Sequence, residues 1–226
     1  MSPPIITIDG PSGTGKGTLA IHLTRRMGWR LLDSGALYRV VAYQARRQGI
    51  ALDATSDIVS IATDLPLEFR QFDDNVQIRL DGDDVTDEIR SEVIGNGASV
   101  VAAVPLVRSA LLVRQRGFLQ PPGLIADGRD MGTVVFPSAE LKIFLTARPA
   151  VRAERRYKQL KQKGIGVNLA RLSEDIEARD RRDERREVSP LQPASDAIIL
   201  DTTALDIAAV EGQVYALARE RGLVAA

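Results

Sequence analysis

Ile5-Ile6-Thr7-Ile8-Asp9-Gly10-Pro11-Ser12-Gly13-Thr14-Gly15-Lys16-Gly17-Thr18 decides the fold class of this chain. The β-branched run at its start, bounded by Pro3-Pro4 and Gly10, reads as a short buried strand. Lys16 to Met27 reads as a helix, with Leu19, Leu23 and Met27 on one face and Gly28 ending it. Between the two lies a glycine-rich loop, in the strand–loop–helix setting that a phosphate cradle requires. Glycines let backbone N–H groups converge on phosphate oxygens, and the helix N-terminus adds unpaired N–H groups and a favourable dipole. Gly10, Pro11, Ser12, Gly13, Thr14, Gly15, Lys16, Gly17 and Thr18 are therefore the candidate triphosphate-binding residues, with Lys16 reaching the β- and γ-phosphates as a point charge. Such loops usually place Ser or Thr directly after the Lys. Here Gly17 intervenes and Thr18 carries the hydroxyl, so its contact to Mg²⁺ is expected directly or through water. The loop alone says nucleoside triphosphate, which fits kinases, ATPases and GTPases. Its Gly-Lys-Gly-Thr ending resembles small-molecule kinases, and the chain has no Asn-Lys-x-Asp guanine-reading motif.

Outward from the loop, buried-strand patterns recur at Arg30–Leu32, Leu124–Ala126, Lys142–Leu145 and Ala197–Leu200. Helical stretches separate them, including Ser34–Gln48 and Val151–Lys163, and Leu205–Arg219 closes the chain. Strands alternating with helices predict an α/β fold with a parallel sheet covered on both faces. One region departs from this. Leu65, Leu67 and Phe69 alternate, then Val76, Ile78 and Leu80, with Asp73-Asp74-Asn75 between and Gly82 beyond. This predicts a small antiparallel hairpin or three-stranded sheet inserted in the chain, either a surface decoration or a flap near a substrate.

Transfer between two nucleotides requires positive charge around both polyanions. An acceptor phosphate is already ionised near neutrality, its second pKa being about 6, so no strong general base is needed. His22, the only histidine, falls inside the first helix and reads as structural or exposed. Arginine is the expected clamp because its planar fork grips phosphate with two bonds. Asp33-Ser34-Gly35-Ala36-Leu37-Tyr38-Arg39 and Asp127-Gly128-Arg129-Asp130-Met131-Gly132 both follow predicted strands, at the sheet edge where open α/β folds bind ligands. Asp127 is placed to hold Mg²⁺ through water, or to cap a turn. Arg179, Asp183 and Arg186 fall on one face if their segment is helical, although such a charge run also fits a solvated helix. Arg152, Arg155, Arg156 and Lys158 fit a lid over ATP phosphates or a surface helix. Ser99 and Arg108 flank an apolar helical pattern that spacing alone does not single out.

Composition narrows the alternatives. The 226 residues, 44% hydrophobic and 27% charged, suit one α/β core with appended pieces. Lys plus Arg equals Asp plus Glu at 30 each, so bulk charge points to no polyanionic partner, and an Arg-rich helix without interleaved aromatics argues weakly for nucleic acid. There is no cysteine, hence no disulfide, thiolate metal site or thiol nucleophile. The N-terminus does not read as a signal peptide and no apolar run approaches the ~20 residues of a spanning helix, so a cytoplasmic protein without a membrane partner is expected. No helix carries a sustained heptad, which predicts a monomer. An ATP-gated binding module is the rival from another class, but it leaves the motifs after the second and third strands unexplained.

Taken together, Ile6-Thr-Ile-Asp-Gly-Pro-Ser-Gly-Thr-Gly-Lys-Gly-Thr18, Leu32-Asp-Ser-Gly-Ala-Leu-Tyr-Arg39, Gly123-Leu-Ile-Ala-Asp-Gly-Arg-Asp-Met-Gly-Thr-Val-Val-Phe-Pro137 and Arg179-Asp-Arg-Arg-Asp183 resemble the bacterial cytidylate kinases over essentially the whole chain. The first motif is common to many kinases; the second and third together are specific. The resemblance implies a single phosphate-loop kinase domain over residues 1–226, with a monophosphate-binding insert at about 34–110, its antiparallel part at about 64–90, and a short lid at about 150–166. It implies ATP and Mg²⁺ as phosphoryl donor and cofactor, and CMP or dCMP as acceptor. It also implies that Ser34, Arg39, Arg129 and Arg186 hold the CMP phosphate, that Ser99, Arg108 and Asp130 read cytosine, and that Arg179 and Asp183 contact the ribose. Lys16, Arg39, Arg129, Arg179 and Arg186 would be catalytic, and Arg155 and Arg156 would reach ATP. The chemistry agrees for the base, since a carboxylate suits the exocyclic amino group of cytosine and an Arg suits its acceptors.

Overall fold

The computed structural model describes residues 2–71, 76–162 and 164–224. The predicted first strand is β1 (Ile5–Asp9), followed by α1 (Lys16–Met27), β2 (Arg30–Asp33) and α2 (Ser34–Arg47). Then come α3 (Thr55–Thr63), β3 (Leu67–Gln71), β4 (Val76–Leu80) and β5 (Asp83–Asp84), a 3₁₀ turn (Glu88–Arg90), α4 (Glu92–Val101) and α5 (Pro105–Gly117). The chain returns through β6 (Leu124–Asp127), a π-helical turn (Met131–Val135), β7 (Leu141–Thr146), α6 (Pro149–Gln162), α7 (Leu169–Glu184), β8 (Ile198–Asp201) and α8 (Ile207–Glu220).

Five strands pair in the order β2-β6-β1-β7-β8, every pairing parallel. Alternation along β1 and β6 feeds two cores. On one face Ile6, Ile8, Ile125, Ile143 and Leu145 pack with Leu19 and Leu23 of α1 and with Val210 and Val214 of α8. On the other, Ile5, Leu32, Leu124 and Ala126 pack with Leu37, Val40 and Val41 of α2 and with Val101, Val107 and Leu111 from α4 and α5. Period two in the strands thus meets period 3.6 in the helices on both sides of one sheet.

The segment between β2 and β6 shares that second core. Val76, Ile78 and Leu80 of β4 alternate inward and are buried in it. The predicted antiparallel element is a three-stranded sheet in the order β3-β4-β5; its expected turn at Asp73-Asp74-Asn75 lies outside the described residues. Strand pairing starts at Leu67 rather than Leu65, because Pro66 has no N–H to contribute. Ser99 and Arg108 are on two different helices, α4 and α5, which meet at 102°. Pro105 starts the second of them, the position where a helix accepts proline. Helices α6 and α7 pack on each other through a separate small cluster, Ala153, Leu160, Leu172 and Ile176. Among the described residues no single helix is long and apolar enough to cross a membrane. His22 pairs with Glu211 of α8 at 3.0 Å, in keeping with a structural role.

Candidate active site

The loop between β1 and α1 is held in its curled form by contacts that only glycine permits. Gly10 has φ +142°, and a Cβ there would fall 2.2 Å from the Leu145 carbonyl oxygen. At Gly13, φ is +79° and a Cβ would press on the backbone and Cβ of Arg152 at 2.8 to 2.9 Å. The ring of the loop is closed by Pro11, whose carbonyl accepts from Lys16 Nζ at 2.8 Å and from Thr14 Oγ1 at 3.0 Å. Lys16 is buried, which with the repulsion of Arg129 lowers its pKa. Burial pushes the Asp127 carboxyl the other way, upward, with Lys16 pulling it down and the nearby Asp33 raising it.

Parallel pairing sets three carboxylates along the C-terminal edge of adjacent strands. Asp33 is in register with Asp127, and Asp127 with Ile8, next to Asp9. Each has a different task. Asp33 caps α2, accepting from Ala36 N at 3.0 Å. Asp9 turns to the π-helical turn and accepts from Met131 N at 2.9 Å and Gly132 N at 2.8 Å. Asp127 is left facing the loop, its Oδ2 3.4 Å from where a Cβ on Gly17 would be. A glycine directly after Lys16 therefore leaves Asp127 close to the first turn of α1. Among the described residues no three His, Cys, Asp or Glu side chains converge as a ready-made metal site.

A cleft of about 620 Å³ opens over this edge, lined by the loop, by Asp127 and Arg129, by Arg39 of α2, by Arg155 and Arg156 of α6 and by Arg179 of α7. Its cations form a contiguous run. Arg129 lowers the pKa of Lys16 and of Arg179, and Arg39 lowers that of Arg179 too. Arg179 is brought down to about 9 by burial first and by Arg39 and Arg129 next, and its Nε has no hydrogen-bond partner. Arg129 keeps its charge firmly: burial opposes it, but Asp183 and Asp127 more than offset the burial. Its Nε donates to Asp183 Oδ2 at 3.1 Å and its Nη2 to Ser12 Oγ at 2.9 Å, which joins α7 to the phosphate loop.

Deeper in, toward α4 and α5, lies a polar cluster. Arg108 and Asp130 form a buried ion pair, with the Arg108 guanidinium 5.6 Å from the Tyr38 ring centre. Ser34 donates to Gln115 Oε1 at 3.1 Å, and Ser99 to Asp183 Oδ1 at 3.1 Å. Arg186 donates to the Asp183 carbonyl at 3.3 Å, and its pKa is lowered by burial and by Arg108. Opposed by burial, the cations Arg129, Arg179 and Arg186 still hold the Asp183 carboxyl below its ordinary value.

Of the candidate residues, Lys16, Thr18, Arg39, Asp127, Arg129 and Arg179 line the cleft. Ser34, Ser99, Arg108, Asp130, Asp183 and Arg186 belong instead to the buried cluster, tied to the cleft by the Arg129–Asp183 pair. Two expectations are adjusted. Arg186 is not on the helical face with Arg179 and Asp183, because α7 ends at Glu184; it reaches Asp183 from the segment beyond. Arg155 and Arg156 line the cleft, yet each is already engaged. Arg155 bonds the Thr202 carbonyl and hydroxyl and the Leu205 carbonyl. Arg156 bonds Glu92 Oε1 at 2.7 Å and the Arg90 carbonyl at 3.0 Å.

Sequence reasoning did not find Glu92, Gly95 or the pair Arg152–Asp180. Arg152 is buried, paired with Asp180, and donates to the Ser12 carbonyl at 2.9 Å. A Cβ on Gly95 would meet Arg39 Nη1 at 3.1 Å and Arg179 Nη1 at 3.4 Å, so that glycine lets two guanidinium groups cross α4. A glycine inside an otherwise helical pattern was the available signal.

Comparison with known proteins gives a consistent result. A family model described as cytidylate kinase matches residues 6–220. A protein named cytidylate kinase from Aeromonas hydrophila is 54% identical over 218 residues, covering 96% of this chain and 95% of that one. One of the same name from Pseudomonas fluorescens is 57% identical over 206 residues, with 90% of both chains covered. Another from Azotobacter vinelandii is 54% identical over 223 residues, covering 98% of this chain and 97% of its own.

Proposed function

The chain belongs to the cytidylate kinase family, an ATP-dependent kinase for CMP or dCMP, and from that premise we propose that the γ-phosphoryl group passes in line between two phosphates held at opposite ends of the cation run Lys16–Arg129–Arg179–Arg39. The observation that carries this reading is the continuity of that run. It starts in the phosphate loop and ends on α2, in the part of the chain that follows β2. A single triphosphate on the loop would not need Arg39.

The loop N–H groups and Lys16 hold the donor phosphates, with Arg155 and Arg156 on α6 as the groups that close on ATP. Ser34, Arg39, Arg129 and Arg186 hold the acceptor phosphate. Charge develops on the transferring oxygens, so donors already fixed in place stabilise the transition state without reorganising. Lys16 gains most from this. An incoming polyanion adds to the counter-charge of Asp127 and Asp9, which does not offset the burial of its ammonium. Mg²⁺, when bound, neutralises charge between the β- and γ-phosphates. The Thr18 hydroxyl and the Asp127 carboxylate at the first turn of α1 are hard oxygen donors suited to hold it, directly or through water. Asp130 accepts from the cytosine amino group, Arg108 and Ser99 complete the reading of the base, and Arg179 and Asp183 border the ribose. Uracil offers Asp130 a carbonyl instead of a donor, which sets two acceptors against each other even though Arg108 still pairs the carboxylate.

This assignment divides the chain into a sheet core, a monophosphate-binding part at about 34–110 and a lid at about 150–166. Closure of the last two excludes the water that would otherwise hydrolyse ATP. The working unit is taken as a cytoplasmic monomer whose partners are its small-molecule substrates.

The test is coupled ADP release with Mg·ATP and matched CMP, dCMP, UMP or AMP. Turnover led by CMP or dCMP supports the base assignments. Turnover led by another monophosphate discards Asp130, Arg108 and Ser99 as readers, and no turnover with any of the four refutes the transfer itself.

A further inference from the structure

The buried carboxylate of Asp9 has no role in the chemistry just described, yet it joins the two halves of the site. We infer that Asp9 is a positioning residue for acceptor selection: it fixes the turn that carries Asp130 to the root of the phosphate loop. This rests on the assignment of Asp130 as the base reader.

Three observations place Asp9 there. Both of its oxygens are committed to the turn, one to Met131 N at 2.9 Å and one to Gly132 N at 2.8 Å. These are the two residues directly after Asp130, whose own carbonyl receives Val134 N at 2.9 Å and Val135 N at 3.2 Å. The anchor cannot drift, because the next residue, Gly10, is wedged against the Leu145 carbonyl. The turn is also closed from its other side. A Cβ on Gly132 would come 2.9 Å from Thr7 Oγ1, a fully buried hydroxyl with no hydrogen-bond partner of its own. Asp130 is thus held between a two-pronged acceptor on β1 and a steric stop on the same strand.

Two N–H donors side by side need two acceptors. A carboxylate meets this; an amide has one acceptor oxygen and presents N–H to the second donor. Asp9→Asn therefore keeps the shape and breaks one prong. Its expected effect is selective. The ratio of kcat/KM for CMP over that for UMP should fall on the order of 10- to 100-fold, the scale of loss from displacing a positioned group by about 1 Å. The KM for CMP should rise while the KM for ATP stays at the wild-type value.

A purely structural role predicts something different, namely both KM values and kcat moving together with the CMP-to-UMP ratio intact. That result overturns the inference. Gly132→Ala provides a second route that leaves Asp9 in place. It should lower the same ratio by pushing the turn away from Thr7 and the Lys142 stem, and Thr7→Ala in that background, which removes the tightest of these contacts, should restore part of it. If the ratio is unmoved by Gly132→Ala, or not partly restored by Thr7→Ala, the positioning role is refuted even should Asp9→Asn fail to fold. A wild-type enzyme with no preference for CMP over UMP would instead remove Asp130 as the reader, and the inference with it.

Discussion

Replacing Arg179 by methionine should make the ligand-free protein more stable and nearly inactive. Arg179 is buried among Arg39 and Arg129, and its pKa is brought down to about 9. That depression corresponds to roughly 5 kcal/mol of unfavourable free energy for holding the charge in place. That figure is already net of the attraction to Asp183 and Glu92, and Asp183 would keep Arg129 as a partner in the variant. Replacing a whole buried ion pair by apolar side chains of similar volume gains about 1–4 kcal/mol, and removal of Arg179 approaches that case because the Asp183 carboxylate keeps Arg129. Methionine fills the space and leaves no orphaned Nε, so a gain of about 1–3 kcal/mol is expected. For a chain of this length each kcal/mol moves the melting temperature by roughly 2–4 °C. Arg179→Met should therefore melt about 2–12 °C above wild type without ligand. It should also lose at least ~100-fold in kcat, the usual consequence of removing one preorganised donor from a developing charge. Paired melting curves supply the decisive comparison: CMP should raise the wild-type transition more than that of the variant. A ligand-free variant that melts below wild type would refute the reasoning, because the contacts of Arg179 would then outweigh its crowding.

Three further outcomes follow from the same geometry. Asp130→Ala should weaken CMP far more than ATP, but it also orphans Arg108 in the core at a cost of about 3–5 kcal/mol. Asp130→Asn, which keeps an acceptor for Arg108, should show the CMP loss with less destabilisation, and equal losses for CMP and ATP would discard Asp130 as a base reader. Glu92→Gln should weaken the hold of α4 on Arg156 of α6; this pair is only partly buried, so the stability change should stay within about 1 kcal/mol while amide exchange in α6 quickens. Burial raises the Asp9 pKa from 3.8 to about 7, its backbone hydrogen bonds opposing the rise. A raised folded-state value means stability fully present below about pH 4 and lost as pH climbs through about 7. The stability of Asp9→Asn should change less than that of wild type across that window, and parallel curves would show that Asp9 does not titrate there.

What the sequence disclosed and what it concealed divide along a physical line. The phosphate loop was legible because its strand, glycines, lysine and helix are consecutive, and their geometry is settled by local sterics. The strands were legible because β-branched runs bounded by turn residues have few other places to go; observed bounds differ from the expected ones only at the ends. The charge run on α7 was the hard case. Sequence periodicity placed Arg179 and Asp183 on one face but could not choose between solvent and site, and it carried Arg186 onto a helix that stops at Glu184. Burial makes the choice. Asp180 and Asp183 face inward to Arg152 and Arg129, from other parts of the chain, while Arg181 remains outside, paired with Glu177. The cations gathered at this cleft are accompanied by buried carboxylates, Asp183 with Arg129 and Asp180 with Arg152. Those carboxylates lie behind the arginines, as Asp183 lies behind Arg129, and they orient each guanidinium without neutralising the opening that a phosphate enters. Such pairings join residues as far apart as Arg129 and Asp183, so only the folded core reveals them, and that is why Glu92 and the partners of Arg152 and Asp9 escaped a reading of motifs.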